Sequence, residues 1–232
     1  MTKSRFHHLL YVLLPVLLFG TTQLYASSDN SERLENSVIA LKEIMEIPDK
    51  GIPRDLLDKA QCIVIVPDMK KGAFIIGAKY GKGYISCRKQ AGTGWTAPGA
   101  VRIEGGSFGL QIGGSETDVV LLVMNEGGAK KLLSSQFTLG ADASIAAGPV
   151  GRSTTADTDA LLRAEILSWS RSHGIFAGIS LQGATLRQDL EDNRDLYGNL
   201  VENQEIIAKD PPVPAPAKDL IALLNEYSPR KK

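Results

Sequence analysis

The pattern that most resembles covalent chemistry is Gly105-Gly106-Ser107-Phe108-Gly109, which has the G-x-S-x-G spacing of a serine nucleophile elbow. Aspartates and then His173 follow in the chain order that a catalytic triad could use. An elbow needs a strand, a sharp turn and a helix, whereas the residues after Ser107 alternate between apolar and polar as a strand does. His173 adjoins Gly174 at a predicted hairpin corner, where no second histidine is near in sequence. We therefore expect no enzymatic activity, with serine hydrolysis at Ser107 as an alternative.

Other candidate ligands match neither a metal site nor a nucleotide site. Cys62, Cys87 and His173 lack the short spacings of zinc ligands. Asp157-Thr158-Asp159 could offer oxygen ligands to a hard cation, but the glycine and distal glutamate of a calcium loop are missing, which favours a solvated loop or helix cap. Gly148 to Arg152 has the glycine content of a phosphate loop without its Lys-Ser/Thr ending. The sequence predicts no metal and no cofactor.

Basic residues near predicted turns indicate a different chemistry, the binding of anions. Lysine supplies a flexible point charge and arginine a planar donor fork, and backbone amides from Gly148 to Gly151 could complete an anion site beside Arg152. The alternative is that these cations keep the protein soluble and prevent the pairing of sheet edges. The predicted lipid-binding residues are Lys70, Lys71, Lys79, Lys82, Arg88, Lys89, Lys130, Lys131 and Arg152.

The elements that must position these residues are mainly glycine-rich strands. Phe108, Leu110 and Ile112 alternate with polar residues or glycine, the period of a half-buried strand. Glycines inside strands favour bends and bulges. Helices are predicted from Asp29 to before Pro48, after Pro53, over Asn125 to Ser134, over Asp189 to Lys209 with a break near Gly198, and around Leu220 to Tyr227 after an extended Pro211 to Pro216. We predict an α+β fold with a strongly bent, mainly antiparallel, barrel-like sheet flanked by N- and C-terminal helices.

Six blocks in one order, between about Ile52 and Gly198, resemble the SYLF domain. They are Ile52 to Pro67, Gly72 to Gly83, Gly106 to Gly113, Leu139 to Ser144, Ala147 to Arg152 and Gly174 to Gly178. Eukaryotic proteins with this domain bind phosphoinositide membranes, some bind actin, yeast relatives are actin-regulating, Las17-binding proteins, and bacterial members are mostly exported. The resemblance implies non-enzymatic binding of anionic phospholipid or phosphoinositide-like head groups by an exported member. A structural or protein-interaction module of the cell envelope is the alternative function.

The N-terminus has the pattern of a secretory signal peptide. Lys3 and Arg5 precede an apolar run from Leu9 to Phe19, and Ala26 offers a small residue for cleavage. The run is shorter than the roughly 20 residues that span a bilayer, although a retained anchor is the alternative. We expect export to the periplasm or beyond. The predicted divisions are residues 1–26 as signal peptide, 27–50 as amphipathic helix, 51–209 as SYLF domain, and 210–232 as proline-rich linker with a short helix.

The net charge and the two cysteines bear on the class of partner and on whether a disulfide forms. Loss of Lys3 and Arg5 with the leader changes the formal net charge from +0 to about −2, which indicates no nucleic-acid partner. A protein partner is not identifiable from the sequence. If Cys62 and Cys87 lie on the first and third strands of a meander, they are roughly 9 to 10 Å apart. A disulfide needs Cα atoms closer than about 7 Å, so we predict two buried thiols, with a bridge as the alternative.

Overall fold

The computed structural model describes residues 22–47, 51–134, 136–148, 164–172, 175–176 and 181–229, with side chains at 22–28, 73–76, 107–113 and 175–176 outside that description. Most of the predicted signal peptide lies outside these residues. The elements in chain order are α1 Thr22–Glu46, α2 Arg54–Lys59, β1 Cys62–Cys87, β2 Gly99–Val123, α3 Glu126–Leu132, β3 Gln136–Thr138, β4 Ile145–Ala147, β5 Ile166–Ser172, β6 Ile175–Phe176, β7 Thr185–Gln188, α4 Leu190–Tyr197, α5 Asn203–Lys209, a 3₁₀ turn Ala215–Ala217 and α6 Lys218–Tyr227.

The predicted helices are confirmed, and the caps explain several of their boundaries. Asn125 accepts a hydrogen bond from the Gly128 N–H at the start of α3, and Asp189 accepts one from the Asp192 N–H at the start of α4. Helix α4 ends at Gly198, whose φ of 79° places it in the left-handed region. Helix α1 begins seven residues before the predicted start.

Strands β1 and β2 form one long antiparallel ribbon that bends back on itself. The pairing runs from Cys62 opposite Val123 to Ile85 opposite Gly99. Register shifts interrupt it between Val66 and Met69, where β1 has one extra residue, and between Ala73 and Ile75, where β2 has two extra residues. The two shifts bend the ribbon, so that the start and the end of β1 come together.

Gly83 marks the point where the two halves of β1 touch. A Cβ atom added at Gly83 would lie 2.0 Å from the carbonyl oxygen of Ile65 and 2.8 Å from the Cα of Val66. The neighbouring Gly81 packs against the side chains of Val66 and Met69 in the same way. Only a residue without Cβ allows the backbones to approach so closely.

Cys62 and Cys87 form a disulfide at the ends of the ribbon, so the prediction of two buried thiols is wrong. Their Cα atoms are 3.9 Å apart, and the Arg88 N–H donates a hydrogen bond to the carbonyl of Gln61 at 2.8 Å. The error lay in the assumed meander, because residues 62–87 are one bent strand and not three flat ones. Bending brings together two cysteines that a flat sheet would keep apart.

The rest of the sheet grows from the two halves of β2. Its first half pairs with β7, which pairs with β3, and its second half pairs with β5, which pairs with β4 and β6. Of the described pairings between these strands, only that of β4 with β5 is parallel. The prediction of a strongly bent, mainly antiparallel sheet with helices at both ends is confirmed.

Alternation along the strands produces two cores. Ile63 and Ile65 belong to the core beneath α1, α2 and α6, whereas Val64 and Val66 belong to the core inside the bend. The C-terminal helix α6 contributes Leu220 and Leu224 to the first core. Within the described part of the chain, no helix has both the length and the apolar character that crossing a membrane would need.

Candidate functional site

The predicted catalytic and metal-binding patterns can be placed only in part. The backbone of Ser107 pairs with Gly77 inside β2, as predicted from the alternating sequence, and a strand–turn–helix elbow is not formed there. His173 and Asp157 to Asp159 lie outside the described residues. Among the residues that are described, no three His, Cys, Asp or Glu side chains group as metal ligands. The Gly148 N–H donates to the Ser168 carbonyl at 2.8 Å, while Pro149 to Arg152 lie outside the description.

Three of the predicted lipid-binding lysines flank the bend of the ribbon. Lys70 is 74% exposed and lies 3.9 Å from a carboxylate oxygen of Glu116, which is itself 60% exposed. Lys71 is half-buried on the same arm of β1, and Lys79 is buried on the returning arm. Burial lowers the pKa of Lys79, and the charge of Lys71 lowers it further. The bend therefore brings Lys71 close enough to Lys79 for the two ammonium groups to repel each other.

Other predicted lysines lie at the opposite end of the ribbon and contact carboxylates. Lys89 follows the disulfide and lies 2.8 Å from Asp210, and Lys131 on α3 lies 3.1 Å from Glu165. Lys130 is exposed beside Lys131. The structure thus brings Lys70, Lys71 and Lys79 to the bend and does not bring Lys89, Lys130 or Lys131 there.

Lys82 belongs to an ionic network that joins α1, β1 and α4. Its Nζ lies 3.0 Å from Asp189 and 3.1 Å from Asp192, while Arg33 Nη1 lies 2.7 Å from Asp192. Burial would raise the pKa of Asp189, but the hydrogen bond from Lys82 and the other donors lower it overall. The pKa of Asp192 is raised, because burial and the charge of Asp189 outweigh its two cationic neighbours. Lys82 therefore anchors the start of α4 to the sheet, and Arg33 joins α1 to the same helix.

Arg88 is buried and faces the protein interior. Its guanidinium donates to the carbonyls of Ser228 at 2.7 Å, Leu57 at 2.9 Å and Ala60 at 3.3 Å, and it stacks 3.9 Å from the centre of the Trp95 ring. These contacts join α2 to the end of α6. A lipid head group would not reach this side chain without a rearrangement of that packing.

A polar sheet face that the sequence reasoning missed lies on the first half of β2. Cross-strand pairing aligns two rows, and we call them together the outer polar face: Lys82, Arg102, Arg187 and Gln136 form one row, and Tyr80, Glu104, Thr185 and Thr138 form the next. Their strand neighbours Val101, Ile103 and Leu186 are buried in the core inside the bend. The alternation of Val101-Arg102-Ile103-Glu104 was the signal that could have revealed this face.

Two open grooves lie away from these residues. One of about 410 Å³ runs between α4, α5 and the proline segment and is lined by Leu196, Tyr197, Ile206 and Pro212 among others. The second, of about 680 Å³, lies between α2 and the end of α6 and is lined by residues including Arg54, Asp58 and Tyr227. Both grooves are wide and open to solvent, so neither is an enclosed ligand cavity.

Comparison with known proteins identifies relatives for most of the chain. The family described as Ysc84, Las17-binding protein actin regulator, matches residues 104–227. SH3 domain-containing YSC84-like protein 1 of Rattus norvegicus is 32% identical over 194 residues, which cover 81% of this chain and 56% of the relative. SH3 domain-containing protein PJ696.02 of Schizosaccharomyces pombe is 35% identical over 177 residues, covering 75% of this chain and 41% of the relative. Protein YSC84 of Saccharomyces cerevisiae is 33% identical over 181 residues, covering 76% and 38%. The chain spans about half or less of the length of these curated relatives.

Proposed function

The chain belongs to the Ysc84 (SYLF) family, and from that premise we propose that it is a non-enzymatic domain that binds anionic lipid head groups at the bend of its ribbon. The observation that carries the proposal is the approach of Lys71 to Lys79, and the exposed Lys70 precedes Lys71 on the same strand. Lipid phosphates are the ligands whose charge complements this group of lysines.

Electrostatics explains why an anion would bind at this place. Two ammonium groups that repel each other and are partly shielded from water are stabilised by a negative charge placed near both. A lysine near an anionic membrane surface contributes about 1 kcal/mol of binding free energy. Lys70 can join them, because an exposed pair at 3.9 Å such as Lys70 with Glu116 contributes little and exchanges readily.

Export to an oxidising compartment is part of the proposal. The disulfide between Cys62 and Cys87 supports it, because such bonds persist mainly in exported proteins. The apolar run from Leu9 to Phe19 after two basic residues supports it as well. N-terminal sequencing of the protein from the cell envelope should begin near Ser27, and a protein that begins at Met1 in the cytosol would contradict export.

Paired lysine substitutions test the lipid site. Lys70→Gln with Lys71→Gln should weaken co-sedimentation with anionic vesicles, because two of the three positive charges at the bend are lost. Lys42→Gln with Lys218→Gln is the matched control, since both residues are exposed on helices and their substitution removes the same charge. Equal losses in the two double variants, or no loss in the first, would rule out the bend as the site.

A second candidate function is the binding of a protein partner, which the family description favours because it names Las17 binding and actin regulation. Lipid binding through lysines should weaken as salt rises and should depend on the head group. Binding to a protein partner need not show either dependence. Affinity capture from envelope extracts would become the informative experiment if vesicles of every composition failed to bind.

A further inference from the structure

The outer polar face contains a like-charge pair on adjacent strands. Arg102 on β2 and Arg187 on β7 are directly opposite each other in the antiparallel register. Like charges in that arrangement destabilise a sheet. Both side chains are partly exposed, at 35% and 38%, and the backbone between them is regularly paired.

The carboxylate of Glu104 satisfies the two guanidinium groups only partly. It lies 2.9 Å from Arg102 Nε and 3.8 Å from Arg187 Nε. Neither Nε–H forms a hydrogen bond with any described residue, and both nitrogens are shielded from solvent, so the 2.9 Å contact is close in distance but poorly directed. Arg102 also stabilises the charge of the buried Asp189, whereas the ion pair of Arg187 is the long one with Glu104. The guanidinium of Arg187 is therefore the less fully neutralised of the two.

We propose that Arg102 and Arg187 form a binding site for a phosphate-type oxyanion. Guanidinium forks from directly opposite positions on adjacent strands can donate to different oxygens of one tetrahedral group, and such charge-assisted hydrogen bonds are stronger than neutral ones. Gln136 and Thr185 adjoin Arg187 in the outer polar face and add neutral donors at the rim. The exposed Tyr80 lies opposite Glu104 and offers an aromatic contact to the organic part of a phosphate monoester.

Glu104 sets the affinity of this site. Its carboxylate neutralises part of the arginine charge and repels an incoming dianion, so its removal should strengthen binding while removal of either arginine should weaken it. Opposite effects from substitutions of adjacent residues are difficult to obtain from a general change in stability or net charge. The arginine site does not rest on the lysines at the bend, because Lys70 and Lys71 lie on the other arm of β1 and Lys79, which precedes Tyr80, lies on the opposite face of the strand.

The test is a titration of the full chain, purified in a maltoside detergent and labelled with ¹⁵N, with inorganic phosphate at constant ionic strength. The arginine Nε–Hε resonances of Arg102 and Arg187 should shift saturably. Arg102→Gln and Arg187→Gln should each weaken binding at least about tenfold, as expected when a charge-assisted hydrogen bond is lost. Glu104→Gln should tighten it, and Arg194→Gln, an exposed arginine on α4, should leave it unchanged. Absence of saturable shifts in the unsubstituted protein, or an equal effect of Arg194→Gln, would overturn the proposal.

Vesicles distinguish the two sources of such a phosphate. Inorganic phosphate that displaces the protein from phosphoinositide-containing vesicles, and not from phosphatidylcholine alone, would assign the site to a lipid head group. Phosphate shifts with no effect on vesicle binding would assign it to a soluble phosphate compound. Shifts that persist in the Lys70 and Lys71 variant show that this site stands even if the proposed lipid site at the bend fails.

Discussion

Substitution of Gly83 by alanine should destabilise the protein severely, because it places a methyl group inside the backbone of the opposing strand half. The added Cβ would lie 2.0 Å from the Ile65 carbonyl oxygen, and carbon atoms do not approach closer than 3.0 Å, so the two arms of β1 must separate by about 1 Å. Overpacking of this kind costs about 3 kcal/mol or more when the contact is with backbone. For a protein of this size the expected loss is roughly 6 to 12 °C in melting temperature.

Urea unfolding followed by the fluorescence of the buried Trp95 and Trp169 measures this loss. Gly72→Ala is the matched control on the same strand, since nothing lies within 4 Å of its added Cβ, and its stability should change by less than about 0.5 kcal/mol. Gly81→Ala should fall between the two, because it meets side chains that can move. A Gly83→Ala protein as stable as Gly72→Ala would refute the crossing of the two arms.

Further predictions concern the disulfide and two buried charges. Reduction of the bond between Cys62 and Cys87, which are 25 residues apart, should cost about 3.5 kcal/mol in a reducing urea titration, and an unchanged midpoint would contradict a closed ribbon. Asp189→Asn should lower the free energy of unfolding by about 3 kcal/mol. It should also weaken the dependence of stability on acidic pH. The lowered pKa of Asp189 means that its ionised form stabilises the fold above pH 3.8, and this stabilisation is lost as pH falls through the pKa in the folded state. The lowered pKa of Lys79 means that the unfolded chain binds its proton more tightly, so unfolding free energy should rise with pH between that pKa and 10.5. Lys79→Gln should remove that rise, and a slope that persists would disprove the assignment.

Local patterns in the sequence were sufficient for the elements but not for the bend. Apolar spacing in Leu34, Val38 and Leu41 predicted α1, and period-two alternation predicted the strands. Neither pattern reports that residues 62–87 form one strand whose arms cross at Gly83, because that depends on bulges and on contacts between distant parts of the chain. The wrong prediction for the cysteines followed directly from this missing contact.

The sequence predicted the type of residue in the candidate site, which is lysine, but only some of its positions. Sequence reasoning selected lysines at turns, of which Lys71 approaches Lys79 at the bend. It could not distinguish them from Arg88, which is just as basic but is buried against Trp95. The difference is set by residues far along the chain, such as Ser228 and Leu57, whose carbonyls accept the guanidinium hydrogen bonds.

Co-sedimentation of the chain from Ser27 with vesicles is the direct test of lipid head-group binding, because removal of the leader excludes simple partitioning of its apolar run. Neutral vesicles of phosphatidylcholine are compared with vesicles that also contain a phosphoinositide, each at low and at high salt. We expect binding to the anionic vesicles alone and a loss of that binding as salt rises. Equal binding to both kinds of vesicle, or binding to neither at low salt, would contradict it.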